Sequence, residues 1–390
     1  MVHYSPYDPR GGVHAGPLVT DNGFWDTFRT VYPLLSLIYP DHLGVIVQGW
    51  LNAYKEGGWL PSWASPGYRN CMVGTFADVV VADAIVKQVP NFDLTLAKDA
   101  MLKDSFSSPP AYAGGSQGKQ GLDQYKNRGF LPMEGGNAGG GEVVSRTLDY
   151  GFADFAVAQA LVILANRRIL GKNDPQLAST MRQQAQDLYT RSHKATGSLF
   201  DKGRGLMCPK ASNGQFTQRF DAVEWGKGYT EGNAWHHSFP PYAISPYVPV
   251  SLNNNENNDQ DNNKNRNKRA HPNTVIEGAD GVVGNVDPNF NTKHSLMSLY
   301  GSTAALRYKL HALLTTPAEF RPGSYGQEIH EMTEMRALAL GQYGHNNQPV
   351  HHILYLFALL GDAETTQRMV RVVMDRAYGI DFYAGDEDNG

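Results

Sequence analysis

The fold is constrained most strongly by a helical hydrophobic periodicity that long loops interrupt at intervals along the chain. Apolar residues recur every three or four positions, which predicts helices over residues 26–39, 75–89, 149–170, 174–193, 302–314, 351–360 and 363–378. Asp174 followed by Pro175 has the pattern of an N-cap and the first helical position. No alternation of strand and helix patterns appears between these segments. The sequence therefore predicts an all-α protein.

Between the predicted helices lie long loops rich in glycine, proline and aromatic residues, over 57–70, 105–141, 201–231 and 240–251. Loops of this length are uncommon in a compact domain unless they carry a function. Helices that support such loops are typical of an α/α toroid with its active site at one rim. The 20 tyrosines and 6 tryptophans have flat apolar faces that suit stacking on sugar rings, although a large aromatic core accounts for them more simply.

Composition excludes several other classes of protein. The 34 lysines and arginines nearly balance the 38 aspartates and glutamates, so nothing indicates a nucleic-acid-binding surface. Two cysteines rule out a disulfide framework, no apolar run is long enough to predict a membrane span, and the first residues lack the pattern of a signal peptide. The tract 253–268 is rich in Asn, Asp and Lys and has no apolar residue, which predicts a disordered insertion.

The strongest local signal is the run of carboxylates in Gly-Asp-Glu-Asp-Asn-Gly at 385–390. In an extended loop, Asp386 and Asp388 would point the same way. They could then hold a water molecule between them as general base and partner, or bind calcium through oxygen ligands. A solvated acidic tail is the simpler explanation of such a run taken alone.

A second carboxylate, Glu231, lies in Gly-Tyr-Thr-Glu-Gly-Asn-Ala-Trp-His-His at 228–237. Partial desolvation among aromatic side chains raises the pKa of a carboxyl group, which favours the protonated form that a general acid needs. A glutamate at the start of a helix, following Thr230, is an equally simple interpretation.

Two further segments concentrate polar side chains. In His-Glu-Met-Thr-Glu-Met at 330–335, a helix would place Glu331 and Glu334 on one face with His330 beside them, and the spacing excludes the HExxH zinc motif. The segment 341–352 joins amides to imidazoles, and its oxygen atoms suit calcium or sugar hydroxyls. Its histidines leave zinc open, without an established zinc spacing, and simple capping of the next helix is the third interpretation.

The segments 24–30 and 63–78 place charged residues among aromatic ones. Asp26 and Arg29 would form an i,i+3 pair on a helix. Asp78 falls within an apolar helical face, where a carboxylate is costly unless it is hydrogen-bonded or binds a ligand. Each of these residues is explained as well by structure as by function.

Taken together and in order, these motifs resemble glycoside hydrolase family 92. The similarity rests on Gly-Phe-Trp-Asp-Thr-Phe-Arg-Thr at 23–30, Ser-Pro-Gly-Tyr-Arg-Asn-Cys-Met-Val-Gly-Thr at 65–75, Ser-Arg-Thr-Leu-Asp-Tyr at 145–150 and Glu-Gly-Asn-Ala-Trp at 231–235. Met-Thr-Glu-Met at 332–335, Gly-Gln-Tyr-Gly-His-Asn-Asn-Gln-Pro at 341–349 and the C-terminal carboxylates continue it. The resemblance covers about 20–390, apart from the Asn-rich tract.

The resemblance implies an (α/α)6 barrel with long loops at its active-site rim. It also implies an inverting, calcium-dependent exo-α-mannosidase, often α-1,2-specific, that trims mannose-containing N-glycans of glycoproteins. By motif, Glu231 resembles the general acid, Asp388 the general base and Asp386 its partner. The expected substrate-binding residues are His330, Glu331, Asp78, Trp25, Asp26 and Arg29. The expected Ca²⁺ ligands are Gln348, Asn347 and Glu334.

This chain departs from the family pattern at both ends. By this resemblance we expect this chain to lack the β-sandwich domain that normally precedes the barrel, and also the helix after Gly390 that should close the barrel and hold the loop of Asp386 and Asp388. We therefore expect a single catalytic domain over 1–390, truncated at its C-terminus. The alternatives are a catalytically impaired fragment that retains mannoside binding, and another helical-barrel glycosidase that acts on glucosides. Family members are often secreted or periplasmic, and the sequence leaves localisation and oligomeric state open.

Overall fold

The computed structural model describes residues 1–134, 141–166, 170, 174–243 and 296–378. Helices account for 56% of the structure and strands for little of it, which confirms the predicted all-α class. The helices in the described residues are α1 (Phe24–Thr27), α2 (Val31–Ile38), α3 (Pro40–Gly57), α4 (Phe76–Val86), α5 (Leu94–Phe106), α6 (Leu122–Arg128), α7 (Val143–Asn166), α8 (Pro175–Leu199), α9 (Ala234–His237), α10 (Leu296–Tyr300), α11 (Thr303–Thr315), α12 (His330–Leu338), α13 (Ile353–Leu359) and α14 (Ala363–Ala377).

Four short strands form two antiparallel hairpins that the sequence did not predict. β1 (Val2–Tyr4) pairs with β2 (Val13–Ala15), and β3 (Phe200–Asp201) pairs with β4 (Leu206–Met207). The second hairpin begins the stretch predicted as a loop over 201–231. These strands are too short to form a layer of their own, so the helices build the core.

Helix α7 lies at the centre of the core. It packs along α8 and against α4, and its residues Val144, Val157, Ala158 and Leu161 are fully buried. Its stretch Val143–Ala165 is long and apolar enough to span a membrane by length and composition, but 72% of its most apolar window is buried inside the protein. A long, mainly apolar helix that is mostly buried is typical of the interior of a large domain, so we assign α7 to the core.

Polar N-caps mark where several helices begin. The Asp174 side chain accepts a 2.9 Å hydrogen bond from the Leu177 amide, with Pro175 in the first turn, which confirms this predicted start. Asp93 caps α5 in the same way by accepting from two backbone amides. Such a cap satisfies amides that the first turn leaves without partners and stabilises a helix by about 1 kcal/mol.

Two differences from the predicted helices have local causes. The predicted helix 26–39 is divided into α1 and α2, and Pro33 lies in the first turn of α2. There its missing amide hydrogen needs no partner, whereas inside one long helix it would break a hydrogen bond. α3 was not predicted because Gly44 and Gly49 interrupt its apolar pattern. A Cβ on Gly44 would lie 1.7 Å from the Pro90 carbonyl oxygen, so the glycine permits close packing that no side chain would allow.

A buried network of charges joins α4, α7 and α8. The Lys119 ammonium is fully buried, 3.1 Å from Asp154 and 3.8 Å from Asp78, and Arg191 donates two 2.9 Å hydrogen bonds to Asp154. Burial raises the pKa of Asp78 to about 7, and it raises that of Asp104 well above its ordinary value. Neighbouring carboxylates add to both shifts, and the Lys119 ammonium opposes both. Removing one partner of such a buried pair is strongly destabilising, so the network ties the central helices together.

Candidate active site

Glu231 lies in the loop that joins β4 to α9, and its backbone is held on both sides. Its φ angle is +48°, in the left-handed region that costs a residue with a side chain about 1–3 kcal/mol. The Glu231 amide donates a 2.8 Å hydrogen bond to the Tyr325 hydroxyl, and the Asn347 side-chain amide donates to the Glu231 carbonyl oxygen. Two distant segments therefore fix a strained backbone, from which a half-buried side chain extends.

The start of α7 supports the residues that precede Glu231. The Gly228 carbonyl oxygen accepts hydrogen bonds from the Val144 amide at 2.8 Å and the Ser145 amide at 3.2 Å. The Ser145 hydroxyl in turn accepts a 2.8 Å hydrogen bond from the Thr230 amide. The loop thus satisfies amides that a helix N-terminus leaves without partners, and the helix fixes the path of the loop.

The residue that follows Glu231 has no room for a side chain. A Cβ on Gly232 would lie 2.8 Å from the Asn347 amide nitrogen and 2.9 Å from His236 Nδ1. These two atoms are themselves 2.8 Å apart. The glycine after the carboxylate is therefore required by the contact between the loop and Asn347.

Asn233 fixes the start of α9. Its side-chain oxygen accepts a 3.0 Å hydrogen bond from the Trp235 amide, and its side-chain nitrogen donates one of 2.9 Å to the Gln342 side chain. Gln342 is fully buried and donates to the carbonyl oxygens of Pro317 and Glu319 at 2.6 and 2.9 Å. The motif Glu-Gly-Asn-Ala-Trp therefore encodes a fixed turn as well as a carboxylate.

Two buried histidines, His236 and His237, and the half-buried His352 line a small cavity beside this loop. Burial lowers the pKa of His236 to about 3 and the pKa values of His237 and His352 to about 4, so all three are neutral at pH 7. The cavity has a volume of about 40 Å³, and its walls also include Phe28, Arg29, Asp149, Phe152 and Tyr242.

Asp149 and Arg29 bring opposite charges to the wall of this small cavity. The Trp25 indole donates a 3.3 Å hydrogen bond to Asp149, and the Arg29 guanidinium lies 4.6 and 4.5 Å from the ring centroids of Trp25 and Phe28. Burial raises the pKa of Asp149 to about 7, against the opposing effects of Arg29 and the Trp25 hydrogen bond. The structure thus brings together Trp25 and Arg29, two of the predicted substrate-binding residues, with a carboxyl group that titrates near neutral pH.

Asp26 and Glu231 both act on the thiol of Cys71. Partial burial raises the pKa of this thiol, and the negative charges of Asp26 and Glu231 raise it further. Charges in the motifs at 23–30 and 231–235 therefore both act on a residue of the motif at 65–75.

Helix α12 carries the predicted residues His330 and Glu331. It is anchored by Met332 and Met335, which are fully buried against Trp225. His330 lies at the surface with Nε2 3.3 Å from the Glu331 carboxylate. Glu331 is buried, and within the described residues its Oε2 atom has no hydrogen-bond partner.

The predicted calcium ligands comprise two buried amides and one half-buried carboxylate. Asn347 and Gln348 are almost fully buried, and Glu334 is half-buried on α12. Asn347 Oδ1 is buried and finds no hydrogen-bond partner in the part of the chain that the structure describes. In that same part, no three His, Cys, Asp or Glu side chains are arranged to hold a metal, which gives the zinc interpretation no support.

One predicted residue, Asp78, is not brought to this place, and two others cannot be compared because they lie outside the described residues. Asp78 is fully buried and faces Lys119. It lies two residues after Phe76, which lines the small cavity, and two positions are separated by roughly 200° around a helix. Asp386 and Asp388 lie outside the described residues.

Several residues that hold this region together were not predicted. Tyr325, Asn233 and Gln342 each bind the loop around Glu231. Tyr325 lies in Pro-Gly-Ser-Tyr-Gly at 322–326, a sequence that predicts a turn but no chemistry. Asp149 lies within the quoted motif at 145–150, and only its burial beside Trp25 distinguishes it.

A larger, open cleft of about 580 Å³ is lined on one side by Trp235 of α9. Arg204, Lys309 and Arg321 lie in its walls, but each is engaged locally. Arg321 is 2.7 Å from Asp221, and Lys309 lies 4.2 Å from the centroid of the Trp235 ring. Arg204 pairs with a nearby aspartate. Such pairing leaves little charge for an anionic ligand, and Glu231 is in the wall of neither cavity.

Comparison with known proteins supports one family. The sequence model described as the glycosyl hydrolase family 92 catalytic domain matches residues 2–242 and 257–390. Among solved structures, the family GH92 inverting mannosidase BT2199 from Bacteroides thetaiotaomicron is similar, with 34% identity, a TM-score of 0.68, and coverage of 100% of this chain and 43% of that chain. No match was found among curated protein sequences.

A second solved structure supports the fold. The family GH92 α-mannosidase BT3965 from Bacteroides thetaiotaomicron, in complex with mannoimidazole, has 20% identity, a TM-score of 0.67, and coverage of 98% of this chain and 41% of that chain. The chain thus spans less than half the length of either structure. Its mostly helical architecture agrees with the (α/α)6 barrel of this catalytic domain. The family model matches most of this chain, and the whole of this chain aligns with one family member at 34% identity. The chain therefore belongs to glycosyl hydrolase family 92.

Proposed function

We propose that this chain provides the catalytic machinery of an inverting, calcium-dependent exo-α-mannosidase that acts on mannose-containing N-glycans, with a preference for α-1,2 linkages. The observation that carries the proposal is the strained left-handed backbone of Glu231, held by Tyr325 and Asn347. Strain of this kind persists where the surrounding structure imposes it and clusters at active sites. Membership of the family, and similarity to a chain described as an inverting mannosidase, support the class of reaction.

Glu231 is the general acid in this proposal. It gives its proton to the glycosidic oxygen while the bond between that oxygen and the anomeric carbon breaks. The negative charges of Asp26 and Glu231 both raise the pKa of the Cys71 thiol. A general acid must carry its proton before the reaction begins.

Asp388, assisted by Asp386, is the proposed general base. It takes a proton from a water molecule that attacks the anomeric carbon on the face opposite the leaving oxygen. In inverting enzymes the two carboxyl groups are about 6.5–9.5 Å apart, which leaves room for that water. One proton is taken from water and one is given to the leaving oxygen, so the products are mannose of inverted configuration and the shortened glycan.

Asn347, Gln348 and Glu334 are the proposed Ca²⁺ ligands. All three have oxygen donors, which calcium prefers. The buried Asn347 Oδ1 finds no hydrogen-bond partner within the described residues, and a cation would satisfy it. When bound, the ion would hold the mannose 2- and 3-hydroxyls and favour a distorted ring.

The remaining substrate contacts divide into two groups. His330 and Glu331, paired at 3.3 Å on α12, are proposed to contact the leaving-group side. Trp25, Asp26 and Arg29 are proposed to contact the mannose ring, since Arg29, which stacks on Trp25, lines the same small cavity as His236 and His237 of α9. Asp78 is left out of this set because it is fully buried beside Lys119.

The replacement Glu231→Gln tests the proposal. A general acid contributes about 10²–10⁴-fold, so we expect a loss of this size with α-1,2-mannobiose. With 2,4-dinitrophenyl α-mannoside the loss should be much smaller, because that leaving group departs without a proton. Glu364→Gln, at an exposed position of α14, is the matched control and should leave both rates unchanged. NMR of the first-formed product should show β-mannose.

Other outcomes would contradict parts of the proposal. Equal losses on the two substrates would exclude Glu231 as the acid. Hydrolysis of α-glucosides in place of mannosides would indicate another helical-barrel glycosidase. Binding of mannosides without any turnover would indicate an impaired, binding-only domain.

A further inference from the structure

The Tyr325 hydroxyl connects a distant segment of the chain to the backbone of the proposed acid. It accepts the Glu231 amide at 2.8 Å, between residues 94 positions apart. We propose that Tyr325 is a positioning residue, which holds Glu231 in the left-handed conformation from which its carboxyl group reaches the leaving oxygen. This inference rests on the proposed function of Glu231.

Tyr325 is itself fixed by hydrogen bonds between its turn and the segment that leads to Glu231. The Trp225 amide donates to the Arg321 carbonyl oxygen at 3.0 Å, and the Ser324 amide donates to the Trp225 carbonyl oxygen at 3.3 Å. Each of the two segments thus donates a hydrogen bond to the other. A shift of the tyrosine relative to the loop would therefore break backbone hydrogen bonds.

Two glycines allow the segments to approach so closely. A Cβ on Gly226 would lie 1.9 Å from Ser324 Oγ, and a Cβ on Gly323 would lie 2.1 Å from the Trp225 carbonyl oxygen. Both glycines have positive φ angles, of +74° and +53°. The contact that carries Tyr325 is thus built into the backbone and does not depend on one flexible side chain.

The Tyr325 ring is held by apolar contacts and its hydroxyl stays protonated. The ring packs against the buried cluster of Trp225, Met332 and Met335. Burial raises the pKa of Tyr325 to about 12; the hydrogen bond from the Glu231 amide opposes this rise, and nearby glutamates, Glu231 first, add to it. A neutral hydroxyl accepts the amide hydrogen through a lone pair, so this contact is kept at any pH near neutrality.

The left-handed conformation of Glu231 depends on such contacts. A residue with a side chain leaves this region unless hydrogen bonds hold it there. Replacement of Tyr325 with phenylalanine keeps the ring and removes the acceptor of the Glu231 amide. The loss of one hydrogen bond lowers the ratio of the correct to the incorrect conformation by up to about tenfold.

The test compares Tyr325→Phe with Tyr300→Phe in the full chain. The Tyr300 hydroxyl donates one 2.8 Å hydrogen bond to the Gly205 carbonyl oxygen, so the control also loses a single bond between a tyrosine hydroxyl and the backbone, here one that the tyrosine donates. With α-1,2-mannobiose, kcat of Tyr325→Phe should fall by up to about tenfold, the limit reached when the correct conformation becomes the minor one. With 2,4-dinitrophenyl α-mannoside it should change little, because no proton is needed. Tyr300→Phe should not distinguish the substrates.

Each result decides the inference. Equal losses on both substrates, or no loss on either, would show that Tyr325 does not act through the acid. If Glu231→Gln distinguishes the substrates and Tyr325→Phe does not, the positioning role is refuted while the proposed function stands. If Glu231→Gln fails to distinguish them, or if the unmodified chain hydrolyses neither substrate, the proposed function and this inference are both refuted.

Discussion

Replacement of Asp149 with asparagine should make the stability of the protein less dependent on pH. Burial raises the pKa of Asp149 from 3.8 to about 7. A carboxyl group whose pKa is raised in the folded state binds its proton more tightly there than in the unfolded chain. Its contribution to stability is therefore complete below about pH 4 and is lost as the pH rises through about 7. At about 1.4 kcal/mol per pKa unit, the loss above pH 7 is about 4 kcal/mol.

Asparagine has the same shape as aspartate and cannot ionise. Its side-chain oxygen can still accept the hydrogen bond from the Trp25 indole, which is 3.3 Å from Asp149. The change also removes the attraction between Asp149 and the guanidinium groups of Arg29 and Arg146, which offsets part of the gain. We therefore expect Asp149→Asn to be more stable than the unmodified protein by about 1–3 kcal/mol at pH 8, and equally stable at pH 4.

Urea unfolding at pH 4, 6 and 8, followed by circular dichroism, measures this difference. Asp187→Asn is the matched control, because Asp187 lies at an exposed position of α8. Its stability relative to the unmodified protein should not change in the same way between pH 4 and pH 8. If the free energies of unfolding of Asp149→Asn and the unmodified protein changed with pH in the same way, ionisation of Asp149 would not destabilise the folded state, and the argument would be refuted.

Two further predictions concern the buried charges and the metal. Lys119→Met should lower the free energy of unfolding by about 3–5 kcal/mol at pH 7, because it removes the ammonium that lies 3.1 Å from Asp154 and 3.8 Å from Asp78; a loss below 1 kcal/mol in urea unfolding would contradict this. Ca²⁺ added to chelator-treated protein should raise its thermal unfolding temperature with increasing ion concentration, and Asn347→Leu should remove that rise. An unchanged unfolding temperature of the unmodified protein would contradict the calcium proposal.

Helices with a continuous apolar face were predictable, and α3, in which close packing replaces part of that face, was not. The structure contains helices that overlap the predicted segments at α2, α4, α7, α8, α11, α13 and α14. α3 differs because Gly44 and Gly49 weaken its pattern while allowing the helix to approach Pro90 and Val19. Such approaches are tertiary contacts, and they leave no periodicity in the sequence.

The candidate site was predictable as a set of segments but not as a set of contacts. The motifs contained Glu231, Asp26 and Cys71, which the structure places near one another. Tyr325 could not be predicted, because a turn sequence does not reveal which loop it contacts. For Asp78 the sequence left two explanations open, because a carboxylate on an apolar helix either binds a ligand or forms a buried ion pair. The position of Lys119 in space, which sequence does not give, shows the ion pair.

The contacts around Glu231 separate the geometry of the acid from its chemistry. The hydrogen bonds to Tyr325 and Asn347 involve its amide and its carbonyl oxygen, and neither uses the carboxyl group. Glu231→Gln should therefore keep the shape of the loop and remove the proton, whereas Tyr325→Phe keeps the proton and loosens the shape. A general acid acts only when its carboxyl group is within hydrogen-bonding distance of the leaving oxygen. If both variants lose activity mainly on the substrate that needs a proton, the rate depends on the position of the carboxyl group as well as on its presence.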